Sequence, residues 1–275
     1  MRIMDNAMQS VKKWVPVFAG TVVLLCAASS AHAAPPPVFI EDMTWMEVRD
    51  RIKEGATTVI IPTGGTGQEG PQMVEGKHTI VMRYTAGEIA KTLGNTLVAS
   101  VLPFVPEGRI TPPEGHMQFP GTMSLSGKTF AAVLEDLARS LKSHGFTRIC
   151  FIGDHGGAQP IQQQVADKLN SEWEAYGVHV IQVSDYYYRN GEEAWNDSMS
   201  LKVRDATVHG GHTETSELMA IDPSGVRDSL RAVRGEHDYR ASGAMGDSSQ
   251  ASAKYGKKYL SLKIQAAVRQ IQDAD

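Results

Sequence analysis

Cysteine is scarce in this chain: two occur in 275 residues, Cys26 and Cys150. Cys26 lies in a segment expected to be removed on export, so Cys150 is left without an internal partner and a disulfide framework is excluded. Cys150 sits in an apolar run and reads as a buried small hydrophobe. Long apolar runs are also missing. The longest, Trp14 to Ala28, falls short of the roughly 20 residues a membrane span needs. Lys12 and Lys13 precede it and Ala31-His32-Ala33 follows as a small-residue cleavage site, the order of a secretory signal over residues 1–33. The expected product is therefore periplasmic or secreted, with no membrane insertion after cleavage. Basic charge is in deficit as well: without residues 1–33 the chain keeps 24 basic and 30 acidic residues, a formal charge of −6. That balance argues against a nucleic-acid partner, which calls for basic patches. There is no G-x-S-x-G elbow and no cysteine in a Cys/His setting, so a metal-activated water is the most economical hydrolytic nucleophile.

What is present is an alternation of short apolar runs with helical patterns, from Ala34-Pro35-Pro36-Pro37 to the end, without linker or repeat. It predicts one α/β domain over 34–275, layered α/β/α around a mostly parallel sheet. Helices are expected over Thr44–Glu54, near Ala86–Leu93, and over Lys128–Ser143, Gln159–Tyr176 and Ser252–Gln272, with a helical stretch at Glu217–Ile221. Strands are expected at Thr57–Pro62, Thr96–Phe104, Thr147–Gly153 and Val178–Val183.

Three segments carry candidate chemistry, each after a strand or among glycines, where open α/β sheets bind ligands. The first runs from Pro62 through Gly64, Gly65, Gly67 and Gly70 to His78, with Glu69 and Gln72 inside it. Its glycines permit close backbone approach to a ligand and leave the amides of 64–70 available to a developing oxyanion. No Lys-Ser/Thr pair follows where a phosphate cradle needs one. The second is Asp154-His155-Gly156-Gly157, read either as a reaching histidine or as a capping Asp with an incidental His. The third, His209 to Ser216, puts His209, His212 and Glu214 within six residues. These are metal-ligand types, although Thr213 as an N-cap with Glu214 in the first turn accounts equally for the glutamate. Tyr187 and Trp195 follow the last strand and are candidate pocket walls, against ordinary core packing.

Taken in order, Thr44-Trp45-Met46-Glu47-Val48, the Ile61-Pro62 strand end with its glycine loop, Phe119-Pro120-Gly121-Thr122, His155-Gly156-Gly157 and His209…Glu214-Thr215-Ser216 resemble the creatininase family. The resemblance implies a layered α/β fold, a divalent metal, oligomers and hydrolysis of cyclic amides or related C–N bonds of small molecules. It departs at the first loop, where the family reads Glu-Gln-His-Gly-Pro-His and an aspartate six residues on. Here Gly67, Glu69 and Gln72 stand in that loop and His78 at the aspartate's position. The resemblance thus implies metal ligation by Glu69, His78 and His155, with Glu214 as a fourth ligand. One ion per chain is expected, zinc before manganese or iron, because an imidazole at His78 bridges two metals poorly. His209 falls on the family's proton shuttle and Glu214 on its downstream glutamate; Asp154, His212 and Gln72 are expected to orient ligands or touch substrate. A lactonase on the same site and a non-catalytic binding protein are the alternatives.

Overall fold

Along the strand Thr58–Thr63 (β1), Val59 and Ile61 pack into one hydrophobic core and Ile60 into another, all three fully buried. The same alternation recurs in Arg148–Gly153 (β3), where Ile149 and Phe151 take the first side and Cys150 and Ile152 the second. Since successive side chains of a strand point to opposite faces, these runs require cover on both sides of the sheet. With Thr96–Val98 (β2) and His179–Gln182 (β4) they form a four-stranded, all-parallel sheet in the order β2-β1-β3-β4. The structure, a computed structural model, describes residues 36–199, 208–231 and 239–274, and residues 37–275 form one unit. The expected leader, residues 1–33, lies outside the described residues.

Eight helices complete the described elements: α1 (Trp45–Lys53), α2 (Lys77–Leu93), α3 (Gly127–Ser143), α4 (Gln159–Trp173), α5 (Glu192–Ser198), α6 (His212–Ile221), α7 (Tyr239–Ser242) and α8 (Ala253–Asp273). Phe130, Leu134 and Ala138 of α3 and Val165, Leu169 and Trp173 of α4 fill the first core. Met82, Ala86 and Ile89 of α2 with Ala267, Val268 and Ile271 of α8 fill the second. The α/β/α layering expected from the sequence is the architecture observed. Local chemistry fixes the ends: Thr44 and Glu47 close a capping box on α1, and the Ser126 and Ser252 hydroxyls cap α3 and α8.

Four expected elements differ in their bounds, and α5 and α7 were not expected. β2 stops at Val98; Ala99 N–H still donates to Ile60 O, and the chain meets β1 once more at the Thr63–Leu102 bridge, after which Pro103 has no N–H to continue a ladder. α4 ends at Trp173 and finishes as a 3₁₀ turn, Glu174–Tyr176, before Gly177 turns left-handed. α2 begins at Lys77 and α6 at His212, well before their apolar stripes. Both early turns are polar because they face a buried polar site. Among the described residues no helix is long and apolar enough to cross a membrane.

Candidate active site

Every candidate side chain leaves the carboxyl end of a strand or sits on a helix that begins there, the usual ligand position in a parallel sheet. The glycine loop follows β1 and ends in the first turn of α2, which turns Lys77 and His78 inward, both buried. Asp154 and His155 follow β3 directly. The long loop after β2 carries Glu107 and, on a 3₁₀ turn Gly115–Gln118, His116. His209 and Glu214 flank the start of α6.

Two groups result. In the first, His78 Nε2 lies 2.7 Å from Glu69 Oε1 and His78 Nδ1 lies 2.8 Å from Asp154 Oδ2. The Lys77 ammonium is 2.7 Å from Glu214 Oε1 and 3.4 Å from Glu69 Oε2. Burial works against charge on His78, but the Glu69 carboxylate prevails and raises it to about 10. Burial likewise opposes ionisation of Glu69, yet His78 and Lys77 hold its carboxyl well below the usual range. Behind them, Lys263 Nζ donates to Asp154 Oδ1 at 2.9 Å and meets Glu217 Oε1 at 3.0 Å. In the second group, Glu107 Oε2 receives His155 Nε2 at 2.9 Å and His116 Nδ1 at 3.0 Å. Burial would raise Glu107, and the two imidazoles hold it well below the carboxylate range.

The two groups meet face to face. The His78 and His155 rings are 5.4 Å apart, and His116 lies 4.5 Å from the ring of His209. Gln68 fixes the tautomer of His209. Its Oε1 accepts from Gly70 N–H at 3.0 Å, so its NH₂ is what faces His209 Nε2 at 2.8 Å. That leaves the proton on Nδ1, turned toward Glu69 Oε2 and Glu214 Oε2, each 3.9 Å away. Burial lowers the pKa of His209 and favours this neutral form. Beside the site a cavity of about 470 Å³ is lined by Tyr187, Asp154, Glu214, Thr213 and Lys263. Tyr187, held protonated to about 12 chiefly by burial and then by the Glu214 charge, presents a hydroxyl there.

The donors suit a divalent cation. Glu107, His116 and His155 each offer an atom within 4.8 Å of the others, and so do Glu69, His78 and Glu214. Carboxylate with imidazole is a donor set zinc and manganese accept.

The expected ligands do not all share one group, since His155 joins Glu107 rather than Glu69. Gln72 ties the glycine loop to α6, donating to Gly210 O at 2.7 Å and to Thr215 Oγ1 at 3.2 Å. Glu214 reaches back from the first turn to accept from Gly210 N–H at 2.7 Å, and no side chain caps α6; Thr213 is thus not the cap. Asp154 accepts from His78, Tyr186 and Lys263 instead of capping a helix. His212 is fully buried 5.1 Å from the ring of Tyr255, away from the ligand groups, and Trp195 packs 4.9 Å from Tyr259. Bulk and flatness decide both: the two rings seat in the α5–α6–α8 packing. The loop amides are largely spent, Gly64 N–H on Leu102 O, Gly67 N–H on Glu75 O and Gly70 N–H on Gln68.

Sequence reasoning missed Glu107, His116, Lys77 and Glu75. The signal for the first two was a Glu-Gly and a Gly-His pair just ahead of Phe119-Pro120-Gly121-Thr122. Glu75, raised by burial and by the charges of Glu69 and Glu107, has the property of a general acid.

The chain matches the family model described as Creatininase: Creatinine amidohydrolase over residues 41–271. It is 31% identical over 173 residues to the mycofactocin precursor peptide peptidase of Mycolicibacterium smegmatis, covering 61% of this chain and 59% of that protein. It is 28% identical over 120 residues to the creatinine amidohydrolase of Pseudomonas putida, covering 43% and 45%. The matched stretches thus span about half the length of these curated relatives. A crystal structure of creatininase superposes with a TM-score of 0.72 at 23% identity, covering 87% of this chain and 98% of that one. A Zn-Zn type and a manganese form of creatininase give 0.71 and 0.70 at 23% identity, covering 87% of this chain and 99% of each. At such identity the likeness speaks to the fold.

Proposed function

Because the chain belongs to the creatininase family, we propose that it is a metal-dependent hydrolase that cleaves an amide C–N bond of a small molecule. The observation that carries this reading is the pair of carboxylate–imidazole groups facing each other at the carboxyl ends of β1, β2 and β3, beside a cavity. Amide cleavage is what the names of the amidohydrolase and peptidase relatives have in common. The cavity's 470 Å³ lies in the range of small-ligand sites, roughly 300–1,000 Å³.

Glu107, His116 and His155 on one side and Glu69, His78 and Glu214 on the other are the residues available to hold a divalent ion. Such an ion supplies Lewis-acid polarisation of a carbonyl and an activated water at neutral pH. The chain's own groups do the rest. His209 holds its proton on Nδ1, beside the space between Glu69 and Glu214, and delivers it to the departing nitrogen. Gln68 keeps that proton on Nδ1. Tyr187 donates its hydroxyl into the cavity and orients a substrate oxygen. Zinc is the first candidate ion and manganese the second, the two that occur in the related solved structures.

The test is hydrolysis of a panel of cyclic amides and short peptide amides by purified protein before and after chelation. Turnover that is lost with chelator and restored by zinc or manganese supports the reading. Turnover unaffected by chelation, or hydrolysis confined to lactones, overturns it. No hydrolysis with an ion bound favours a binding protein on this scaffold.

A further inference from the structure

The two groups differ in what already fills them. Within the Glu69–His78–Glu214 group sits a cation that belongs to the chain, the Lys77 ammonium, 2.7 Å from Glu214 and 3.4 Å from Glu69. Both ring nitrogens of His78 already face carboxylates, 2.7 Å from Glu69 and 2.8 Å from Asp154. The Lys77 ammonium thus already pairs with Glu69 and Glu214, and Asp154 pairs with the Lys263 ammonium, which Glu217 shares. Removing any of these buried charges leaves a partner uncompensated.

The Glu107 group is built otherwise. No lysine or arginine pairs with Glu107 among the described residues, and its partners are two imidazoles that touch one carboxylate oxygen. The other oxygen, Oε1, is buried without a hydrogen-bond partner. The Glu69 oxygens also lack one but face the Lys77 and His78 nitrogens. No ionic partner of Glu107 Oε1 is found among the described residues, an arrangement that calls for an unseen ligand. Two glycines make room for that carboxylate. A Cβ on Gly65 would stand 2.8 Å from Glu107 Oε1, and one on Gly67 would stand 3.0 Å from Glu107 Cδ. Solvent reaches this group through His116, whose side chain is 19% exposed, and reaches the other through Glu214 at 18%, while Lys77, His78 and Glu69 are at most 4% exposed. Two imidazoles and one carboxylate also leave coordination positions open for water and substrate.

We propose that the chain binds one divalent cation at Glu107, His116 and His155, and that the Lys77 ammonium takes the place of a cation in the Glu69–His78–Glu214 group. This rests on the metal-dependent reading above and replaces the ligand set expected from the sequence, of which His155 alone remains.

Metal binding is read apart from turnover by titrating chelator-stripped protein with Co²⁺, following visible absorption and calorimetric stoichiometry. One ion per chain is expected. Affinity should fall at least tenfold in Glu107→Gln, His116→Ala and the milder His116→Gln, and stay within a few-fold of wild type in Glu69→Gln and His78→Gln. Far-UV circular dichroism excludes variants that fail to fold. The reverse pattern, with the ion lost in His78→Gln or Glu69→Gln and kept in His116→Ala, overturns this site and leaves the hydrolase reading standing. Two ions per wild-type chain overturns the role of Lys77. Wild-type protein that binds no ion overturns both readings.

Discussion

Gln68 shows how one amide governs a neighbouring titratable group. Because its oxygen is taken by Gly70 N–H, it offers only N–H to His209 Nε2, and the imidazole keeps its proton on the side of the two glutamates. If His209 moves that proton during turnover, His209→Ala lowers kcat by about 10²- to 10⁴-fold, the usual worth of general acid–base catalysis. Gln68→Leu frees the tautomer, so it lowers kcat less and shifts the pH profile with KM nearly unchanged; a change in KM alone would exclude a tautomer effect. His78 permits a second test. Its pKa of about 10 in the fold lies above the ordinary imidazole value near 6.5. Its stabilising contribution is therefore complete below pH 6.5 and is lost progressively as pH rises toward 10. Glu69 and Asp154 are shifted down, so theirs is present above about pH 4.5 and lost on acidification. Between pH 6.5 and 9 the wild-type melting temperature should fall faster than that of His78→Gln, measured by calorimetry at half-unit steps. The window stops at 9 because buried Cys150, raised to about 12, adds its own alkaline loss beyond the ordinary thiol range. Glu69, His155, His209 and Glu214 were legible as residues because each lies in a short run of glycine or polar residues, the first two after a strand. Lys77 was not, since nothing local distinguishes a buried lysine from the far commoner exposed one.

Helix ends, more than helix middles, separate what the pattern displayed from what it hid. The apolar stripes of α2 and α6 begin a turn or more after their first residues, and those hidden turns are the ones that deliver Lys77, His78 and Glu214. Hydrophobic periodicity records only the face a helix packs. A first turn that faces a polar interior has no stripe to read. The α8 stripe was legible over most of its length, yet it also concealed Lys263, whose ammonium joins α8 to Asp154 after β3 and to Glu217 on α6. Lys263→Ala leaves Asp154 with His78 as its remaining ionic partner and Glu217 with none among the described residues, and the expected destabilisation is about 3–5 kcal/mol. Denaturant titration checks it, and a loss under 1 kcal/mol would mean that the carboxylates find water or each other. α8 also crosses α6 at backbone contact. A Cβ on Gly256 would lie 1.8 Å from Ser216 O, so the helices must separate to admit it. Gly256→Ala should cost about 1–3 kcal/mol in the same titration despite its gain in helix propensity.

For the molecule as a whole, two cores on the two faces of one parallel sheet leave the carboxyl edge as the place where four loops converge. That much follows from strand alternation, which is why the layering was readable. The pairing of loops was not. Glu107 and His116 stand nine residues apart in a loop rich in proline and glycine, and no period links them to His155, which arrives from another strand some forty residues later. Their meeting depends on β2 and β3 flanking β1, a fact of topology. A cation held by Glu107, His116 and His155 would consequently tie the β2 loop to the β3 loop and stabilise the folded chain by mass action. At 100 times its dissociation constant the gain is about 2.7 kcal/mol. At roughly 2–4 °C per kcal/mol for a domain of this size, the melting temperature should rise by about 5–11 °C. The same addition to His116→Ala should leave it nearly unmoved. An equal rise in both would place the ion elsewhere in the molecule, because a ligand stabilises only through the groups that bind it in the native state.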